Sequence, residues 1–162
     1  MRIRPYRQSD WNHFLTLESE SIGRAFPNGS ISTESLKNHC KKILTKDHHW
    51  KNNHPRSHQE NVSVLETDSL EYAGHLWLCQ KEDQLTGEEK CWIMSLAVKK
   101  QFRRQGLGKL LIQHAVNEAK KLNLETIGLS VDFNNHAARK LYEQEGFNQH
   151  RIMMQLKLTV QE

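Results

Sequence analysis

The sequence predicts a mixed α/β sheet within one domain, and three observations carry that expectation. The apolar run at residues 93–98 gives way, at "FRRQGLGK", to a long helical pattern. A second strand-to-helix step follows, from Ile127, Leu129 and Val131 to "NNHAARKLYEQEG". Upstream, two helical patterns sit between a first short strand and three further strands. At 162 residues one compact domain is the default, with a core large enough to need no disulfide or metal.

Each element has its own signal. "MRIRPY" reads as a short first strand. In "SDWNHFLTLESESIG", Ser9 or Asp10 is placed to cap a helix whose apolar residues are Trp11, Phe14, Leu15 and Leu17. "AFPNGS" is a turn by its Pro, Asn and Gly. "STESLKNHCKKIL" keeps helical spacing through Leu36, Cys40, Ile43 and Leu44, without a capping box. Residues 45–60 are very polar and hold His48, His49, His54, His58 and Pro55. No carboxylate or cysteine completes a ligand spacing there, so a solvated loop and no metal are expected.

"NVSVLETD" and "EYAGHLWLCQ" read as strands, "DQLTGEEK" as a turn on Gly87, and "CWIMSLAV" as a central strand covered on both faces. Leu107, Leu110, Leu111, Ala115, Ala119 and Leu122 recur at three- and four-residue steps, giving an amphipathic helix. Ile127, Leu129 and Val131 alternate as a strand. In the second helix after the run, Asn134 or Asn135 is the N-cap, and Gly146 suits the left-handed position past its end. Ile152, Met154, Leu156, Leu158 and Val160 alternate strictly and predict a closing strand with one buried face.

Composition narrows the function. No apolar stretch approaches the roughly 20 residues of a membrane span, and the first residues lack the apolar centre of a signal peptide. A cytoplasmic location and no membrane partner are expected. Cys40, Cys79 and Cys91 are odd in number and fit no zinc spacing, so reduced thiols are expected. The net charge is +4, but the basic residues are spread along the chain, so no nucleic-acid partner is expected. The local cluster of Lys99, Lys100, Arg103, Arg104 and Lys109 fits a phosphate-bearing small ligand equally well.

The glycine-rich stretch joins that charge to a helix start. First-turn amides have no internal partner, and the helix dipole adds about half a positive charge there. Together they form an anion site. Gly106 and Gly108 lack a Cβ, so backbone can approach a bulky diphosphate. On "GLG" alone a plain surface turn explains as much. The spacing is neither that of a Walker loop nor that of a dinucleotide fingerprint.

The surroundings resemble the GNAT superfamily of acyl-CoA-dependent N-acyltransferases. Its pattern, Arg/Gln-x-x-Gly-x-Gly/Ala at a strand-to-helix junction, is met by Arg103, Arg104, Gln105, Gly106, Leu107 and Gly108. Its second block is met by "NHAARKLYEQEGF" at the expected distance. The likeness runs from about Tyr72 to Phe147. It implies a mostly antiparallel sheet, splayed where the cosubstrate acetyl-CoA enters and flanked by helices. It further implies that residues 104–109 wrap the pyrophosphate. Leu96 and Val98 would bond the pantetheine arm through their main chain, and a free N–H of the segment Leu96, Ala97, Val98 would face the oxyanion. Asn135 would contact the cofactor arm, and Tyr142 would protonate the leaving thiolate. Without the resemblance, Tyr142 reads as a core aromatic.

The implied reaction is acetyl transfer from acetyl-CoA to a primary amine, here expected to be that of a small molecule. A protein N-terminal or lysine acetyltransferase and a non-catalytic acyl-CoA sensor are the alternatives. Some relatives place a basic glutamate in the strand after the cofactor helix, where this chain has Ser130. Glu18, Glu20, Glu71, His75 and Asp132 stand as candidate bases. Residues 17–35 and 45–60 are expected to recognise the acceptor, with Trp50, Trp77 and Trp92 as candidate lining and core packing the simpler role of the last two. Lys99 and Lys100 depart from the family, which often has an acidic residue or proline there. Only one strand is expected after Phe147 where many members have two, so a homodimer partner is a candidate for completing that edge.

Overall fold

The computed structural model describes residues 1–25, 32–45, 62–83, 85–156 and 158. The Pro-Asn-Gly turn, Trp50, the His-rich stretch beyond Thr45 and Val160 lie outside the described residues.

Five strands form one sheet in the order β1 (Arg2–Pro5), β2 (Val62–Glu66), β3 (Tyr72–Glu82), β4 (Glu89–Val98) and β5 (Ile127–Leu129). The first three pairings are antiparallel and β4 pairs β5 in parallel. A parallel neighbour needs a crossover, and helix α3 (Leu107–Lys121) supplies it. Helices α1 (Trp11–Ala25) and α2 (Thr33–Thr45) lie between β1 and β2 in sequence, and α4 (His136–Gln144) follows β5.

Strand alternation sends side chains to two different covers. On one face Leu107, Leu111, Ala115 and Ala119 of α3 pack on Leu65, Leu76, Leu78, Cys91 and Ile93. On the other, Phe14 and Leu15 of α1 and Leu36 and Cys40 of α2 pack on Val62 and Trp77. Leu17 joins Val64, Tyr72 and Ala97 there. Strand β4 is covered by α3 along Cys91 and Ile93 but on the other face only at Ala97, and Met94 is 41% exposed, so the two-sided cover its apolar run implied holds for part of the strand. Trp77 is 4% exposed and edge-on to Phe14, which is core packing. Trp92 is half-buried under the Lys81 ammonium, 4.2 Å from its ring centroid.

Two expectations need correction. Asp10 does not cap α1. Its carboxylate turns back to Arg4 at 2.7 and 2.8 Å and to the Arg7 amide at 2.7 Å. The closing strand is absent from the described residues: 151–156 and 158 form no ladder. Ile152, Met154, Leu156 and Leu158 are all at least 77% exposed. Alternation shows only that a segment could bury one face; it supplies no neighbour strand. Arg151, at the start of this segment, is tied instead to Asp83, which also accepts from Lys90. The three cysteines are free thiols. Cys79 and Cys91 occupy successive rungs, Cys79 opposite Trp92 and Cys91 opposite Gln80, so they point to opposite faces.

Arg4 joins β1 to the entrance of α1 and to β2, bonding Asp10 and Glu66 together. Arg4→Ala strands the buried Asp10 carboxylate. Breaking one side of a buried pair costs about 3–5 kcal/mol. Urea unfolding of Arg4→Ala is expected to show a loss of that size; a loss under about 1 kcal/mol would mean that Asp10 finds other partners.

Candidate active site

The site begins where β4 and β5 separate. Their pairing ends at Ile93 and Leu129. At the same level β4 carries a bulge against Trp77 and Leu78, which leaves Met94 without a cross-strand partner and 41% exposed. Beyond it the backbone direction follows from two hydrogen bonds. The Cys91 N–H points to β5, donating to Thr126 O at 3.0 Å, and the Lys99 N–H points to β3, donating to Ala73 O at 2.8 Å. Counting back from Lys99 by alternation, Ala97 also faces β3. Leu96 and Val98 turn their main-chain groups outward, into the gap that β5 has left. Arg103 Nε donates to the Val98 carbonyl at 2.8 Å, which leaves the outward N–H groups as donors along this edge.

A 3₁₀ turn at Lys100–Phe102 then leads into a tight loop. Arg104 and Gly106 both have left-handed backbone, φ 63° and 76°. Gly106 is the N-cap of α3, and no side chain caps that end. The first-turn amides of Leu107, Gly108 and Lys109 are thus presented at the positive end of the helix dipole, beside the exposed Arg104 and Gln105. The side chains of the predicted loop residues divide. Leu107 is buried in the core, and Lys109 pairs with Glu145 at 3.0 Å. Gln105 reaches Gln101 O at 3.4 Å. Gly108 has a packing reason to lack a side chain, because a Cβ there would come 2.7 Å from Leu141 of α4. Gly106 meets nothing within 4 Å, so its requirement is conformational.

Contact between Gly108 and Leu141 seats α4 beside the start of α3. Asn135 is the N-cap of α4, its Oδ1 accepting from the Ala138 amide at 3.2 Å. Gly146, φ 91°, follows the helix end as expected. Tyr142 lies edge-on to Phe147, ring centroids 5.6 Å apart. None of the described residues hydrogen-bonds its hydroxyl. Burial pushes that phenol up to about 12, so it holds its proton throughout the range in which an amine becomes neutral.

On the α1 face a second group gathers. His75 is fully buried between Tyr72, whose hydroxyl is 2.6 Å from Nδ1, and Glu18, whose Oε1 is 2.8 Å from Nε2. Ser95 donates to the same Glu18 oxygen and lies 3.3 Å from His75 Nε2. Burial pushes the Glu18 carboxyl up, but the bond and electrostatic attraction of His75, with the bond from Ser95, outweigh it and hold the group below the usual carboxylate range. Of the other candidate bases, Glu20 and Asp132 are exposed, and exposed Glu71 binds Gln101 and Lys99. Glu18 and His75 are both among the candidate bases of the sequence; Ser95 is not among them. A signal was present: Trp11, Phe14, Leu15, Glu18 and Ile22 share one helical stripe, so a carboxylate stands where the period calls for an apolar residue. Among the described residues no group of three or more His, Cys, Asp or Glu gathers as a metal site, and no helix is long and apolar enough to cross a membrane.

Known proteins share this architecture. The profile of the acetyltransferase (GNAT) family matches residues 30–147. The chain belongs to the GNAT family. As a GNAT acetyltransferase it is 38% identical, over 64 residues, to the [ribosomal protein bS18]-alanine N-acetyltransferase of Escherichia coli (strain K12). That stretch covers 40% of this chain and 43% of the relative, so the likeness spans less than half of the relative's length. Among solved structures, an acetyl transferase of Pyrococcus furiosus described as putative superposes with a TM-score of 0.74 at 24% identity, covering 97% of this chain and 99% of that one. An aminoglycoside antibiotic 6'-N-acetyltransferase of Acinetobacter haemolyticus gives 0.69 at 14% identity, covering 99% and 100%. These two share the fold.

Proposed function

We propose that this GNAT enzyme transfers an acetyl group from acetyl-CoA to a primary amine, with the cosubstrate lying in the gap between β4 and β5. The observation that carries this reading is the continuity of donors. The outward main chain of Leu96 and Val98 runs directly into the uncapped α3 terminus at Gly106, a path of the kind needed by an extended arm ending in a diphosphate. Ala97 lies between them. Arg103, Arg104, Gln105 and Lys109 would add attraction and hydrogen bonds around the loop, and Asn135, at the start of α4, would contact the cofactor arm. Leu107 and Gly108 contribute their amides. Acetyl-CoA supplies the activated acyl group. The protein holds it, excludes water, offers an N–H for the oxyanion and keeps a protonated phenol, Tyr142, for the departing sulfur.

For the acceptor, the small-molecule amine expected from the sequence has one specific rival. The relative named for an alanine of a ribosomal protein favours a peptide N-terminus. The aminoglycoside enzyme shares only the fold. A surface cavity of about 240 Å³ beside α1, lined by His13, Thr16, Leu17, Glu20, Lys99, Lys100 and Gln101, sets two lysines against one glutamate, so it is no acidic cup for a polycation.

Two measurements test the reading. Acetyl-CoA at a hundred times its dissociation constant is expected to stabilise the native state by about 2.7 kcal/mol, raising Tm by about 5–10 °C for a chain of this size. NADH and ATP are expected to do much less; equal shifts with all three would reduce the loop to a generic anion site. CoA release is then followed with peptides bearing a free N-terminal alanine, polyamines and aminoglycosides. Turnover on the peptides alone would decide for the rival acceptor.

A further inference from the structure

We propose that, in the acetyl transfer proposed above, the amine gives up its proton to Ser95, which passes its own to Glu18, with His75 and Tyr72 holding Glu18 in place from behind. The inference rests on that reading of the function. It starts from the company each buried carboxylate keeps. Asp10, Glu66 and Asp83 each pair with arginine or lysine. Glu18, 8% exposed, has a histidine and a serine as its partners among the described residues. A carboxylate paired with arginine or lysine is locked as an anion; Glu18 has no such partner among the described residues, and one of its donors is the Ser95 hydroxyl, a group that can pass a proton.

The bonds converge on Glu18 Oε1. Ionised Glu18 is an acceptor only, so Nε2 of His75 carries hydrogen toward it, while Nδ1 lies 2.6 Å from the Tyr72 hydroxyl. Ser95 donates to the Glu18 oxygen as well. Tyr72, His75 and Glu18 are 4%, 0% and 8% exposed, while Ser95 is half-buried. The cluster therefore opens outward at Ser95.

Its opening faces the gap. Ser95 follows the bulge residue Met94, directly past the last β4–β5 rung, and precedes the outward-facing Leu96. Its side chain lies on the α1 face. The start of α3, with α4 seated on it, covers the other side. An acyl group held along the Leu96–Val98 edge is thus open to an amine arriving past Ser95. In the step, the amine nitrogen bonds the acyl carbon and the carbon–sulfur bond breaks, its electron pair leaving with sulfur. The nitrogen's proton goes to Ser95 Oγ as the Ser95 hydroxyl proton goes to Glu18 Oε1. Glu18 becomes a neutral acid and returns its proton to solvent by the same route once product leaves. The thiolate takes the Tyr142 proton or one from water.

Glu18→Gln is the decisive variant, because an amide oxygen can still accept from His75 and Ser95 while losing basicity. With an acceptor from the panel, kcat is expected to fall at least a hundredfold, with acetyl-CoA affinity by calorimetry within about twofold of wild type. Ser95→Ala should fall by a similar factor. The loss in both should shrink for an acceptor analogue whose amine has a lower pKa, an effect that a packing role would not produce. Glu18→Gln turning over within threefold of wild type, or losing equally on both amines, overturns the relay while leaving the enzyme reading intact. A wild-type protein that binds acetyl-CoA but acetylates no amine overturns both. If Glu18→Gln fails to fold, Ser95→Ala carries the same two-amine comparison.

Discussion

Replacing Gly106 by valine is expected to abolish measurable acetyl-CoA binding in a protein that remains folded. Gly106 has φ 76°, and nothing lies within 4 Å of where its Cβ would be. Valine would therefore meet no neighbour, but a β-branched residue is strongly disfavoured in left-handed backbone, by roughly 1–2 kcal/mol or more. The loop can escape only by rotating, and rotation re-aims the amides at the start of α3. It also disturbs the bond from the Leu110 amide to the Gly106 carbonyl, 3.1 Å. Those amides are the proposed diphosphate donors, so a drop of at least a hundredfold in affinity is expected by calorimetry, with the far-UV circular dichroism of wild type. Wild-type affinity in the folded variant would remove the diphosphate from this loop. Gly108 gives the contrast. A Cβ there would strike Leu141 at 2.7 Å, and overpacking of that kind costs about 1–3 kcal/mol. Gly108→Ala is therefore a stability variant first, and the two glycines separate binding from packing.

That contrast also shows what the sequence could say. The "FRRQGLGK" stretch announced a turn, positive charge and a helix start, and all three are found where the order of elements put them. The reason for each glycine was not legible. A left-handed φ belongs to local geometry, while the approach of Leu141 joins residues 33 positions apart through the packing of α4 on α3. Strand and helix signals were strongest where one face meets a core, as in α3 and in β4. They misled at Ile152, Met154, Leu156 and Leu158, where the alternation is strict but no described strand lies alongside. Period reports what a segment is able to bury, and only tertiary structure says whether a partner is there.

The α1 face marks a deeper limit. Glu18 and His75 are 57 residues apart and meet at 2.8 Å; Glu18 and Ser95 are 77 apart. A polar residue in an apolar stripe can be noticed in either segment alone, but the pairing needs the sheet register that brings His75 of β3 beside β4 and under α1. The N-terminal ion cluster is similar. Asp10 looked like a cap because caps are local; its preference for Arg4 depends on β1 lying beside the helix entrance.

Tyr142→Phe is expected to leave acetyl-CoA affinity near wild type and to lower turnover by roughly a hundredfold or more, the scale of a lost proton transfer. The ring should be tolerated, since its contact with Phe147 at 5.6 Å involves no oxygen. The hydroxyl is the only group removed, and none of the described residues bonds it, so no internal hydrogen bond is lost. Burial that pushes the phenol up to about 12 keeps it protonated at every pH where an amine acceptor reacts, but also makes it a reluctant acid. Its benefit should then depend on how strongly the departing thiolate demands a proton. A donor whose thiol has a lower pKa needs less help, so the deficit of Tyr142→Phe should narrow with such a donor and widen with a more basic one. Glu18→Gln responds to the amine instead, which separates the two ends of the transfer. Near-normal turnover of Tyr142→Phe with acetyl-CoA, at a rate limited by the chemical step, would return Tyr142 to a packing role and leave the thiolate to water.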